Sequence, residues 1–426
     1  MALASKVITD IRHGQYDSNL LALSISKDQL SYQKKRYLAA IESFMKLYGD
    51  QEISVFSAPG RSEVGGNHTD HQHGRVLAAA INLDIIGVVS KRDDGIIKIV
   101  SDQYDIDPVS IDDLSKDENE FGTSKALVKG VSQRVKECNY QIGGFNGFFT
   151  SEVLVGSGMS SSAAFEVLVG TILSGLYNDG SIDPVLVAQI GQYAENEYFG
   201  KPCGLMDQCA SAVGSLITID FKDTTHPEVE KVDVDFSKFH HSLCIVDTKG
   251  SHADLTDDYA AIPSEMKHVA SCFNKEFLRE VDEDEFYQKL PELLTTCHDR
   301  EILRAIHLFE ENKRVVKEVD ALNKEDFASF KEAFIASGDS SYKYLQNVYT
   351  SKDVKNQSVS LALCLSQKFL GDHGVSRVHG GGFAGTIQAF VEDDYVAEYK
   401  QKIERVFGEE SCHVLQVRSI GGTKVL

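Results

Sequence analysis

Two rhythms of apolar and polar residues run along this chain. Around residues 31–48, Tyr37, Leu38, Ile41, Phe44 and Leu47, with Leu30 just ahead, recur at helical spacing and predict an amphipathic helix. The short apolar run ISVFSAP (53–59) reads as a strand ended by Pro59-Gly60. Residues 84–101 hold two β-branched runs, IIGVV and IIKIV, on either side of Asp94-Gly95. That pair suits a tight turn with positive φ, so the segment reads as a hairpin. GFNGFFTSEVLV (144–155) predicts a further strand, and residues 156–177 a Gly/Ser loop running into a helix. Residues 183–199 and 203–213 read as helices, and SLITIDF (215–221) and LCIVDT (243–248) as strands. From 262 to 369 the pattern is mostly helical, and 385–392 and 412–419 are strands with a helical segment between them. Strand-rich first, helical next and strand-helix-strand last, this is an α+β pattern rather than a regular alternation.

The 426 residues are 42% hydrophobic and 25% charged, enough apolar material for a sizeable core in two or three soluble domains. With seven prolines, no repeat and no low-complexity tract, a domain boundary must be made by packing; it is placed near 200–225, giving lobes 1–215 and 216–426. A net charge of −21 argues against general nucleic-acid binding and against anionic membrane surfaces. A local phosphate site stays possible, because a loop and a helix terminus can override the global field. Residues 76–90 are the most apolar stretch, but Asn82 and Asp84 interrupt it and it is too short to span a bilayer. The start of the chain lacks a basic head followed by an apolar stretch, so no signal peptide is read there. Eight cysteines without a C-x-x-C pair read as reduced, mostly packed thiols of a cytoplasmic protein.

Chemistry concentrates in four places. APGRSEVGGNHTDHQHG (58–74) packs Arg61, Glu63, Asn67, Asp70 and three histidines among glycines. Three readings stand: a solvated turn, a metal site using His68, Asp70, His71 and His73, or a surface for a polyhydroxylated ligand, since short amides and carboxylates pair with vicinal hydroxyls. VLVGSGMSSSAAFEV (153–167) places two glycines and four serines ahead of an apolar helix. This is either a phosphate cradle built on free helix amides or a plain Ser-rich N-cap. It is not a Walker loop. HGGGFAG (379–385) allows close backbone approach, or is simply a bulge or turn. In AENEYFGKPCGLMDQCASAVG (194–214), Asp207 lies among apolar residues and needs a partner, while Glu195 and Glu197, one helix before it, read as solvated face residues.

Taken in order, these motifs resemble the galactokinase branch of the GHMP small-molecule kinases over residues 57–392. The resemblance implies a two-lobed α+β GHMP kinase-like fold with the active site in the cleft between the lobes. It implies transfer of the ATP γ-phosphate to the anomeric hydroxyl of galactose, with Mg²⁺. By the same resemblance, Asp207 falls on the catalytic aspartate and Arg61 on the arginine that stabilises it. Ser162 and Glu195 fall on the Mg²⁺ ligands. Gly156, Ser157, Gly158, Met159, Ser160, Ser161 and Ser162 would wrap the nucleotide phosphates. Asn67, His68, Asp70, Gly204 and, through the looser match HADLTDDY, Tyr259 fall on sugar-contacting positions.

Three positions depart from the family. Galactokinases usually carry Glu where Asn67 stands, contacting the 6-hydroxyl. Asn67 can hydrogen-bond that hydroxyl, or its missing charge can admit the carboxylate of galacturonate as an alternative acceptor. The chain has no Trp, and Ser124 occupies the place where relatives often stack one on the adenine. Ala384 replaces a glycine of the third motif. N-acetylgalactosamine is a further alternative acceptor. A non-catalytic sugar sensor is the rival from another class; intact Ser161-Ser162-Ala163-Ala164, Arg61, Glu195 and Asp207 weigh against it. Oligomeric state leaves no trace in these residues.

Overall fold

The computed structural model describes residues 2–23, 29–102, 106–153, 158–234, 236–250 and 255–426. Its first sheet holds β1 (Ala2–Leu3), β2 (Glu52–Gly65), β3 (Arg75–Arg92), β4 (Ile96–Ser101), β5 (Val109–Ser110), β6 (Gly144–Ser151), β7 (Leu216–Asp220) and β8 (Glu228–Lys231). The second sheet is antiparallel, in the order β10-β11-β9-β12, from β9 (His241–Asp247), β10 (Gly374–Val378), β11 (Thr386–Glu392) and β12 (Cys412–Leu415). The chain then returns: β13 (Thr423–Lys424) pairs with β2. β7, β8 and β13 all follow residue 215, so the first sheet draws on both sequence halves.

The spine is the long β2·β3 pair, and here the sequence reading needs correction. Pro59-Gly60 does not end the strand; β2 continues through Arg61, Ser62 and Glu63 to Gly65. The ladder shifts register between Pro59 and Arg61, so Gly60 is accommodated as an irregularity. A Cβ on Gly60 would meet Met159 O at 3.0 Å, and the Arg61 N–H donates to that same carbonyl at 3.1 Å. Arg61 and Glu63 of the signature therefore stand on a strand, whereas Asn67, His68 and Asp70 follow it.

The predicted hairpin at 84–101 does not form either. The turn at Gly95 is present, with φ +70°, but its two strands do not pair with each other. β6 inserts between them, antiparallel to β3 and parallel to β4. Two local features permit this. Asp94 satisfies the turn by itself, bonding Arg92 and the Ile96 N–H. Gly144 lets β6 approach, since a Cβ there would lie 2.6 Å from Ile96 N. The helix Ser124–Glu137 makes the crossover that a parallel β4·β6 pair requires.

One apolar core runs beneath the first sheet and into the second unit. It joins Phe56, Leu168 and Ile172 to Leu243, Phe330 and Phe390. Buried ion pairs cross the same seam: Arg377 in β10 meets Glu63 in β2 at 3.0 Å, and Arg418 meets Asp84 in β3 at 3.0 Å. No helix among the described residues is long and apolar enough to cross a membrane. All eight cysteines are free thiols, four of them buried.

Candidate active site

The helix Ser161–Tyr177 starts at Ser160, which sits in the left-handed region (φ 54°) and makes no side-chain cap. The Ser-rich N-cap reading therefore does not hold. The Ser160 hydroxyl bonds Asp207 instead, leaving the helix start with its amides and the positive end of its dipole. Gly158 needs to be glycine: its φ is +74°, and a Cβ would lie 3.0 Å from Thr386 Oγ1 and 3.2 Å from His379 Nδ1. Met159 is fully buried, and its carbonyl is taken by Arg61 N. Ser161 and Ser162 are part-exposed at the helix mouth. Gly156 and Ser157 lie outside the described residues.

Facing this helix start, Asp207 opens the helix Met206–Val213. The Arg61 guanidinium grips it with both ends, Nε to Oδ1 at 2.6 Å and Nη2 to Oδ2 at 2.6 Å. Nη1 of Arg61 also donates to the Gly158 carbonyl. Burial pushes the Asp207 carboxyl up, but the Arg61 charge and the hydrogen bonds from Arg61 and Ser160 outweigh it and hold the group below the usual range. Asp207 is thus an anion at neutral pH.

Glu195 comes from a place the periodicity misses. The predicted helix 183–199 is α-helical only over Pro184–Tyr193; Ala194–Phe199 is a π turn, a local widening common at functional positions. It turns Glu195 inward, 2% exposed, while Glu197 stays on the surface. Glu195 Oε1 receives Ser162 Oγ and Lys201 Nζ, each at 3.2 Å, and Oε2 receives Gln208 Nε2 at 2.9 Å. Gln208 also donates to Glu166 Oε2 at 3.0 Å. Burial, and then the nearby Glu195 charge, push the Glu166 carboxyl well up, so it is held neutral.

Asp70 opens the short turn Asp70–Gln72 after β2. Gly204 lies against it: a Cβ there would fall 2.0 Å from Asp70 Oδ2. Burial first, and the Asp207 charge second, raise the Asp70 carboxyl to about 6.

The other three expected sugar contacts are placed differently. Asn67 Nδ2 donates to Gly380 O at 2.7 Å, His68 Nε2 to Gly381 O at 3.1 Å, and the Tyr259 hydroxyl to Gly382 O at 3.0 Å. Three consecutive carbonyls of the third motif are thereby held, so HGGGFAG is a clamped loop rather than a plain turn. Asn67 is fully buried. Its amide also donates to Glu63 Oε1 at 3.0 Å and accepts from Asn347 Nδ2 at 2.8 Å and Ser341 Oγ at 3.2 Å. All four of its hydrogen-bonding positions are used within the protein, so in this arrangement none is left for a 6-hydroxyl. A glutamate at 67 would set a second carboxylate against Glu63, which accounts for the amide. The metal reading of the 68–73 cluster also falls away. His68 is spent on Gly381, His73 stacks on Phe277 at 3.7 Å, and no metal-competent group among the described residues includes them.

Sequence reasoning missed His379, Gln208 and Lys201. His379 bridges Ser62 Oγ at 3.1 Å and Thr386 Oγ1 at 2.9 Å, bracing β2 against β11. Its partners lie up to 317 residues away, so no local signal announces it. Beside the helix start lies a cavity of about 260 Å³, lined by Ile85, Ser124, Leu127, Ser162, Phe165 and Phe199. Larger surface hollows exist, such as one of about 720 Å³ along residues 50–52 and 90–94, but they gather none of this chemistry.

Residues 42–91 match the galactokinase galactose-binding signature and residues 126–215 the GHMP kinase N-terminal domain. The fold is shared with mevalonate kinase from Methanococcus jannaschii, at TM-score 0.60 and 15% identity over 86% of this chain and 98% of that one. It is shared more closely with Lactococcus lactis galactokinase, solved in complex with galactose, at TM-score 0.77 and 26% identity over 91% of this chain and 100% of that one. The class is therefore that of the GHMP kinases. A galactokinase from Actinobacillus pleuropneumoniae serotype 3 is 30% identical over 85% of this chain and 92% of its own length. One from Clostridium tetani is 28% identical over 86% and 91%. The chain belongs to the galactokinase family.

Proposed function

We propose that this protein transfers the γ-phosphate of ATP to the anomeric hydroxyl of galactose, giving galactose 1-phosphate and ADP. The observation that carries the reading is the Arg61–Asp207 grip beside an uncapped helix start. Phosphoryl transfer asks for placement and charge neutralisation more than for covalent help. The free amides at Ser161 and Ser162 bind the phosphates, and the cavity lined by Phe165 and Phe199 takes the adenine, in place of a tryptophan at Ser124. Ser162 and Glu195 would hold Mg²⁺; their oxygens are hard donors 3.2 Å apart, and Lys201 already brings a positive charge to the same carboxylate. When bound, the ion neutralises phosphate charge. Asp207 accepts the hydrogen bond of the anomeric hydroxyl and takes its proton late, as the oxygen–phosphorus bond forms. A carboxylate held below the usual range is a weak base, and Arg61 keeps it aimed. Asp70, beside Gly204, accepts from a second sugar hydroxyl. The free thiols agree with action in the cytoplasm.

Galactose is favoured over galacturonate on one specific ground: the case for the acid rested on an uncharged Asn67 facing C6, and that amide is consumed by Glu63, Gly380, Ser341 and Asn347. ADP release measured with galactose, galacturonate, N-acetylgalactosamine and glucose decides the matter. Galactose should give the highest kcat/KM; a clear preference for either alternative, or no turnover with any sugar, overturns the reading.

A further inference from the structure

Away from this site, three metal-ligand side chains, His268, Cys297 and Glu301, meet where two helices end, and a fourth, Cys272, stands beside Cys297. His268 and Cys272 lie one turn apart at the C-terminal end of the helix Thr256–Ser271. Cys297 and Glu301 lie one turn apart where the helix Leu290–Thr296 gives way to Asp299–Asn323. The ligand atoms of His268, Cys297 and Glu301 all fall within 4.8 Å of one another, and Cys272 Sγ stands 3.6 Å from Cys297 Sγ. His268 Nδ1 lies 3.0 Å from Glu301 Oε2. We infer that these four side chains form a structural zinc site.

The spacing fits. Two thiolates bound tetrahedrally to one zinc at about 2.3 Å stand about 3.8 Å apart, whereas a disulfide would bring the sulfurs to about 2.05 Å. Two sulfurs, one imidazole nitrogen and one carboxylate oxygen are a set that selects zinc over the hard cations Mg²⁺ and Ca²⁺. The sulfurs' other contacts are weak: Cys272 reaches His268 O at 3.6 Å and Cys297 reaches Thr296 Oγ1 at 3.9 Å. Cys272 and Cys297 each close a helix at its negative end, where a cation is favoured. Glu301 Oε2 also accepts the His298 N–H at 2.8 Å as part of a helix cap; a carboxylate has lone pairs enough to cap and ligate together. His268 is about half-exposed, which gives the ion its entry, while Cys297 is buried.

Such a site would staple the excursion 273–296 at both ends. That excursion backs the signature loop: Leu278 N donates to Gln72 Oε1 at 3.1 Å, and Phe277 stacks on His73. The zinc would therefore steady the sugar side of the site from behind without touching reactants.

Metal analysis of the full chain, purified from zinc-supplemented cells and passed through a desalting step with a weak chelator, reads this directly. About one zinc per chain is expected, falling to a small fraction in Cys297→Ser and in Cys272→Ser. Stripping the zinc should lower Tm by about 5 °C or more, reversibly on adding zinc but not magnesium. Should the variants fail to fold, titrating stripped wild-type protein with Co²⁺ decides. Thiolate-to-cobalt charge transfer with tetrahedral d–d bands supports the site; an octahedral spectrum without the thiolate band overturns it. Wild-type protein with no stoichiometric zinc and no zinc-dependent Tm, or with Cys272 and Cys297 joined as a disulfide, overturns it too.

Discussion

The two sides of the candidate site use their polar groups in opposite ways. On the phosphate side, Ser160 leaves its own helix uncapped to bond Asp207, and Ser162 and Glu195 converge at a part-open mouth. On the signature side, Asn67, His68 and Tyr259 spend hydrogen bonds within the protein, holding Gly380, Gly381 and Gly382 in sequence. A motif thus divides into residues that present chemistry and residues that brace the wall presenting it. On the proposed reading, Arg61 and Asp70 of the signature belong to the first kind, and Asn67 and His68 to the second. Spacing along the chain does not separate the two, because Asn67 and Asp70 are only three residues apart.

The comparison breaks most easily at Asp207. Replacing it with asparagine keeps the shape but removes the anion that Arg61 grips and, with it, the proposed acceptor for the hydroxyl proton. Asp207→Asn should lower kcat by roughly 10²-fold or more, the scale of a lost general base, while nucleotide affinity measured by direct titration stays close to wild type. Near-normal turnover would move Asp207 from the presenting class to the bracing one.

The motifs were legible because they are chemically dense: a Gly/Ser run before an apolar helix, or Arg61 and Asp70 among glycines, departs from ordinary loop composition. Helix Leu30–Tyr48 and strands such as Leu216–Asp220 and Thr386–Glu392 also follow their apolar period closely. What was not legible depends on distant parts of the chain. The β3–β4 segment has every local mark of a hairpin, yet β6 enters from some 50 residues away because Gly144 admits it. Pro59 stops strands in general but not one whose ladder slips at that residue. The partners that consume Asn67 sit as far off as Gly380, 313 residues along. The π turn that buries Glu195 breaks the 3.6 period by a single widened turn, which a hydrophobic pattern averages away.

Asn67 tests the bracing class. Asn67→Ala removes four hydrogen bonds at a fully buried point and leaves Gly380 O and the Asn347 amide short of partners. A loss of about 1–3 kcal/mol of stability is expected, read as a lower urea midpoint or Tm. Asn67→Asp should be worse, because its carboxylate would face Glu63 Oε1 and Gly380 O where the amide now donates. The alternative outcome has a different signature. If Asn67 contacts the sugar, the alanine variant keeps its Tm and raises only the KM for galactose.

Asp70 sharpens the remaining contrast, between two carboxylates in one pocket whose environments push them apart. Asp207 is held low by Arg61 and stays ionised across the working range; Asp70 is raised to about 6 by burial and by the Asp207 charge, with Arg61 pulling the other way. An Asp70 that accepts a sugar hydroxyl does so best as an anion, so kcat/KM for galactose should fall as pH drops through about 6, by up to tenfold per unit. Stability moves oppositely: a raised acid favours the fold while protonated, fully below the unfolded value near ~4, and that contribution is lost as pH rises through about 6. Glu63, which burial pushes to about 7 against the pull of Arg377, titrates nearby, so the wild-type curve alone does not assign the limb. The Asp70→Asn variant does. Its kcat/KM should be lower at neutral pH and flat from about 7 down to about 6, the span set by the Glu63 and Asp70 values. An acidic limb that survives in that variant belongs to Glu63, and Asp70 then joins Asn67 among the residues that brace.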